Sequence, residues 1–144
     1  IVQDFTATNT PQQNRISERQ WATLWKITRC FLAESGVPNS MWAEAFRTAT
    51  YIANPVPSTP LGGKTPFSVW HGGTAPSLDH PRTLGARAFV HEGRYVKKLT
   101  MKALEGRLVE YGTDSKTYRI WESGNKIAVS RNVTFIKTLP IKEN

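Results

Sequence analysis

The sequence predicts an α+β chain: an N-terminal helical pair, a linker, and a small β-barrel. Apolar residues recur at spacings of three and four up to Asn54, the mark of helices buried on one side. Residues 55–64 are rich in Pro, Gly and Ser, which reads as a boundary. From Leu84 the period falls to two, in short runs parted by turn residues, as in a small closed or half-closed barrel. The division that follows is 1–54 for the helical part, 55–80 for a linker with one short helix, and 81–138 for the barrel.

Residues 1–9 read as a short extended piece and a loop. The first helix is expected from about Pro11 or Gln13 to Glu34. Thr10 suits its N-cap, Pro11 its first turn, and Gln13 follows the cap by three residues, as in a capping box. Trp21, Leu24, Trp25, Ile27, Phe31 and Leu32 form a broad apolar stripe, and the two Trp read as plain core rather than as platforms for bases. Gly36 should cap the helix in the left-handed conformation, with Pro38 just beyond. A second helix should start at Asn39 or Ser40 and end at Asn54-Pro55, with Trp42, Ala45, Phe46, Ala49 and Ile52 on one side. The two helices are expected to pack as a hairpin. Thr65-Pro66 opens a single capped turn reaching Trp70, with Phe67 and Trp70 expected to anchor the linker on a core. Strands are expected over 84–91, 106–111, 117–122, 127–130 and 132–136, with turns at 111–114 and 122–125.

The chain has 144 residues and is 39% hydrophobic, enough for a core and unlike a disordered composition. Cys30 is the only cysteine, so there is no internal disulfide and no Cys/His set for structural zinc. His71, His80 and His91 are isolated and read as surface or loop residues. No apolar run could span a membrane and no signal peptide is visible, so no membrane partner is expected. The first residue is Ile1, inside an apparent element, so a longer protein is expected around the chain.

A net charge of +8 favours polyanions, nucleic acid first. Residues 1–72 carry a balance of +2 and residues 73–144 one of +6, so the excess belongs to the barrel and its approach. Arg94, Lys97, Lys98 and Lys102 cluster between the first two strands; Lys116, Arg119, Lys126 and Arg131 follow. Such cations neutralise phosphates without reading sequence. Tyr95, Tyr118 and Trp121 lie among them and could stack on bases, or fill the barrel's core.

Taken by itself, Glu18 is a solvated helical charge beside Arg19. Its surroundings are more specific. Thr10-Pro11-Gln12-Gln13-Asn14, followed four residues later by Glu18-Arg19, resembles the end of the integrase core in the Pol polyprotein of copia-type retrotransposons. The resemblance covers nearly the whole chain. It includes Phe5-Thr6, Arg29-Cys30, Gly36, Pro38, Trp42-Ala43-Glu44-Ala45, Tyr51-Ile52 and Asn54. It continues through Thr65, Pro66, Trp70 and Gly72, then Leu84-Gly85, Tyr111, Lys116, Tyr118-Arg119-Ile120, Ser130-Arg131, Val133 and Phe135. It implies that the helical pair ends an RNase H-like core and that the barrel is SH3-like.

The resemblance also implies a chemistry. Such enzymes join element DNA to target DNA with two divalent cations, Mg²⁺ or Mn²⁺, held by three converging carboxylates. Glu18 matches the helical one, as catalytic and metal-binding residue; Gln12, Gln13, Asn14, Arg15, Arg19, Lys97, Lys98, Lys102 and Arg119 are the candidate DNA contacts. The other two acids are expected upstream of Ile1, since Asp4 sits in the approach loop. Alone, this chain is therefore expected neither to bind the cations stably nor to catalyse strand transfer. The implied partner is DNA, both element ends and target, and the implied location is the nucleus or a cytoplasmic particle. Departures from the family's pattern, among them Arg15 for a glycine, Trp21-Ala22 for polar residues and Glu110 for a glycine, leave open a non-catalytic nucleic-acid-binding or protein-interaction module. A truncated core could also expose apolar helix faces and self-associate.

Overall fold

The computed structural model describes residues 14–91, 103–112, 116–124 and 126–136. Helix α1 spans Arg15–Ser35, α2 spans Trp42–Ala53 after a 3-10 turn at Asn39–Met41, and α3 spans Pro66–Trp70 after another at Thr59–Leu61. The strands are β1 (Arg87–His91), β2 (Ala103–Tyr111), β3 (Tyr118–Trp121), β4 (Ile127–Ser130) and β5 (Val133–Phe135). These fall on the predicted strands, with β1 starting later and β2 starting earlier than the pattern suggests.

α1 stops one residue past Glu34, where Gly36 takes a φ of 66°. That left-handed geometry is open to glycine and turns the chain without steric cost. At the other end Asn14 is the N-cap and makes no side-chain capping bond; the expected cap at Thr10, with Pro11 and Gln13, lies outside the described residues. The short helix α3 is capped as expected, Thr65 Oγ1 accepting from Ser68 N at 3.0 Å. The linker's anchoring differs from expectation. Phe67 is half-buried and lines a cavity of about 430 Å³ with Tyr51 and Pro81, whereas Trp70 is 80% exposed.

α1 and α2 pack as the expected hairpin. Their aromatic residues do not form the expected core. Trp21 stacks on Phe46 at 5.1 Å and Trp25 on Trp42 at 5.7 Å, yet Trp21 and Trp42 are 55% and 50% exposed. Of α1's apolar stripe only Leu24 is buried; the helix's other buried residues are Thr28 and Ser35. A hairpin has two layers, and one of its sides already faces the sheet; the stripe is wider than that contact, so its rings pair with each other at the surface.

The sheet is antiparallel throughout, in the order β4-β3-β2-β1-β5. It is strongly curled. Tyr118 of β3 meets Phe135 of β5 edge-on with ring centroids 4.8 Å apart, although three strand spacings, roughly 14 Å, would separate them in a flat sheet. The concave side encloses Ala88, Val90, Leu108, Tyr111, Tyr118 and Ile120. A bulge lies between Leu108 and Glu110 opposite β3. It lets Leu108 and Tyr111 both enter that core while Val109 points the other way, to Val37 and Met41.

The hairpin closes the second side of β2. Thr48 Oγ1 donates to Val109 O at 2.9 Å, and Tyr51 stacks on Tyr111 at 4.6 Å. The end of α1 rests on Gly85 (φ 75°), and Arg107 reaches from β2 to Ser35 O at 3.2 Å and Gly85 O at 3.3 Å. A guanidinium at a helix C-terminus meets the carbonyl end of the helix dipole. Arg107→Met should therefore destabilise the chain by about 1–2 kcal/mol, read as a lower urea midpoint. An unchanged midpoint would show that the contact contributes nothing.

Candidate nucleic-acid interface

α1 projects its first two turns into solvent. Asn14, Arg15, Glu18 and Arg19 are all exposed, as are the residues between them. Glu18 stands in the first turn, where a carboxylate also complements the positive end of the helix dipole. The structure thus brings together four of the sequence-predicted site residues on one helix end. Gln12, Gln13, Lys97, Lys98 and Lys102 lie outside the described residues, as do Arg94 and Tyr95.

Among the described residues no group of three His, Cys, Asp or Glu side chains is placed to hold an ion. Glu18 by itself does not fit a two-metal centre, which needs several oxygens converging from separate elements.

Arg119 is held in the seam between α2 and the sheet. Its Nε lies 2.7 Å from Glu110 Oε2, close as an ion pair but off the line that a hydrogen bond needs, and its Nη2 lies 3.8 Å from Glu44 Oε1. Arg47 completes the group from α2, 3.5 Å from Glu110 Oε1. Glu110 is buried. Desolvation raises its pKa above the ordinary carboxylate range, and the charges of Arg119 and Arg47 oppose that rise without cancelling it. Sequence reading missed this seam. The available signal was an acid inside Leu108-Val109-Glu110-Tyr111, a run otherwise made of core residues.

Tyrosines pin the approach to the sheet. Tyr111 Oη donates to Arg82 O and accepts from Arg82 N at 3.0 Å; Tyr118 Oη donates to His80 O at 3.0 Å. Burial pushes the Tyr111 hydroxyl up to about 12. The His80 ring stacks on Tyr118 at 4.5 Å, and burial, followed by Arg82 and Lys116, lowers its pKa. Tyr118 is therefore a core residue and not an available stacking platform: its ring is needed inside the curl. Trp121 is half-buried, packing against the Val37, Met41 and Val109 cluster with its Nε1 donating to Gly124 O at 2.8 Å. His91, at the end of the predicted strand 84–91, is the last residue of β1 and pairs with Thr134 Oγ1 at 2.8 Å.

A curled antiparallel sheet with this strand order, backed by a helical hairpin, defines an α+β protein built on a small SH3-like domain. Comparison with known proteins agrees: residues 86–144 match the family described as the retroviral polymerase SH3-like domain. The chain is 35% identical over 94% of its length to the retrovirus-related Pol polyprotein from transposon TNT 1-94 of Nicotiana tabacum, covering 10% of that protein. It is 26% identical over 88% of its length to the retrovirus-related Pol polyprotein from transposon RE1 of Arabidopsis thaliana, covering 9%. An uncharacterized mitochondrial protein of Arabidopsis thaliana is 33% identical over 48% of the chain and is covered to 57%. The chain belongs with the Pol polyproteins of plant retrotransposons, and it spans about a tenth of the length of these polyprotein relatives. No solved structure matches it. Among the described residues, no helix is long and apolar enough to cross a membrane.

Proposed function

We propose that the chain is the part of a copia-type integrase that joins the end of an RNase H-like catalytic core to an SH3-like domain, and that it serves DNA integration by binding DNA. The observation that supports this best is Glu18. It is exposed on the first turn of α1, beside Arg15 and Arg19, in a chain otherwise similar to retrotransposon Pol polyproteins. In this reading Glu18 is one of three acids that hold Mg²⁺ or Mn²⁺, and the other two come from outside the chain. The chain's own residues then position DNA: Arg15 and Arg19 neutralise phosphates next to Glu18, and the buried seam fixes α2, against which α1 packs, relative to the sheet.

The test is Glu18→Gln, introduced into the full-length polyprotein's integrase and separately into this chain. Joining of DNA ends should be abolished in the first, while DNA binding by the second stays within about twofold, because a single exposed carboxylate makes no phosphate contact. Retained joining would overturn the catalytic assignment and leave the non-catalytic binding module as the better reading.

A further inference from the structure

We propose that the cavity between the end of α2, α3 and the approach to β1 is a docking site for an uncharged, proline-rich segment of a partner protein in the polyproline II conformation. Its volume is about 430 Å³, inside the range of roughly 300–1,000 Å³ usual for ligand sites. Tyr51, Phe67 and His71 supply rings to its wall, and Pro55 and Pro81 supply flat apolar surface. The wall is held in place from both sides. Phe67 N donates to Asn54 O at 3.1 Å, which ties α3 to the end of α2, and the His71 ring lies 4.2 Å from that of Phe67. Opposite them Tyr51 stacks on Tyr111, and the Arg82 guanidinium donates to Asp79 O and Pro81 O at 2.8 Å each.

The charge of the wall selects the ligand. No Asp, Glu, Lys or Arg lines the cavity, although the chain as a whole carries a net charge of +8. A phosphate or carboxylate entering it would lose water without meeting a cation, and an ammonium would meet no acid, so the complement is a neutral group. The wall is nonetheless not purely apolar. The side chains of Tyr51, Asn54 and His71 can each donate a hydrogen bond, and among the described residues none of the three has a side-chain hydrogen bond. Burial raises the Tyr51 pKa, so its hydroxyl keeps the proton it would donate.

Donors set among rings fit one backbone conformation. Carbonyls inside a helix or a sheet are already paired, whereas a polyproline II segment makes no internal hydrogen bonds and presents its carbonyls outward. Its proline rings are apolar and lie against aromatic side chains. One turn takes three residues and about 9 Å, a length this cavity can hold. Such a segment is stiff before it binds and loses little entropy on docking. The chain's own proline-rich stretch, residues 55–60, is already in use. Pro55 is part of the wall, and Ser58 is fixed in a turn, its N donating to Lys64 O at 3.0 Å and its O accepting from Leu61 N at 3.0 Å. The occupant therefore comes from another protein.

The experiment titrates the full chain with the capped peptide acetyl-Ala-Pro-Pro-Ala-Pro-Pro-Ala-Pro-Pro-amide in a calorimeter. Saturable binding is expected. Tyr51→Phe/Asn54→Ala, which removes two donors and keeps the Tyr51 ring, should weaken it about tenfold. Thermal melts of this variant and wild type should superimpose, because the lost groups make no hydrogen bond among the described residues and both positions are exposed. A capped Gly-Ser peptide of the same length should bind wild type about tenfold more weakly, a comparison that needs no variant. A wild-type chain that does not bind the proline peptide overturns the proposal. Equal affinity for the Gly-Ser peptide overturns the polyproline II assignment. Undiminished affinity in the double variant shows that the peptide docks elsewhere and overturns the site. Displacement of the peptide by oligothymidylate overturns the neutral-peptide assignment and makes the cavity a pocket for a nucleobase.

Discussion

Gly85→Ala should destabilise the chain by about 3–5 kcal/mol, a large share of the roughly 5–15 kcal/mol available to a typical domain. Two penalties coincide there. Gly85 has a φ of 75°, where a side chain is strained, and a Cβ at this position would lie 2.5 Å from Ser35 Cα and 2.7 Å from Ser35 O. Those are backbone atoms of the last turn of α1 and cannot swing aside like the end of a long side chain. The turn is also fixed from behind, because Gly85 N donates to Leu108 O at 2.8 Å. Relief therefore requires the hairpin to lift from the sheet. Thermal denaturation should show a midpoint lowered by roughly 10 °C or more. Gly62→Ala is the matched control: its φ is 63° with nothing within 4 Å of the added carbon, so it should cost only about 1 kcal/mol. Equal losses at the two positions would mean that α1 does not press on Gly85.

Arg119→Met should cost about 3 kcal/mol at neutral pH, because it leaves the buried Glu110 carboxylate with only Arg47, whose own side chain is 69% exposed. The effect should depend on pH in a defined direction. Glu110 has its pKa raised by folding above its ordinary value of 4.5, so the folded chain holds the proton more tightly than the unfolded one. Its favourable contribution is complete below about 4.5 and is lost as pH rises through the folded value. Removing Arg119 raises that value further, so the variant's deficit should be largest near pH 7 and should shrink towards pH 4. Glu110→Gln, which removes the charge but keeps the shape, should stay within about 1 kcal/mol of wild type at neutral pH. Urea midpoints across this range measure all three chains. A deficit for Arg119→Met that does not vary with pH would show that lost packing, and not the stranded carboxylate, is responsible.

Local physical chemistry alone determined much of this molecule. Gly36-Val37-Pro38 ends the first helix, Thr65-Pro66 caps the short one, and the alternation after Leu84 marks the strands, because each depends on contacts within a few residues. Glu18 is a site residue only through the family resemblance of the Thr10–Arg19 stretch; by its local pattern it is a solvated helical charge, and the structure places it exposed on a helix end. The family resemblance was legible for the same reason: its motifs are short runs of sequence.

What only the tertiary structure decided concerns which charges and rings remain free. Trp21 and Trp25 read as core by spacing, yet a two-layer hairpin leaves them at the surface. Tyr118 read either as a platform for bases or as a core ring, and the curl of the sheet takes it inside. Arg119 counted towards a basic barrel, and Glu110 and Glu44, 9 and 75 residues away in the chain, take up its charge. Helical periodicity says which side chains share a face, and composition says how many are charged. Neither says which charges meet an opposite partner across the fold, because that depends on distances set by the packing of α2 on β2 and β3.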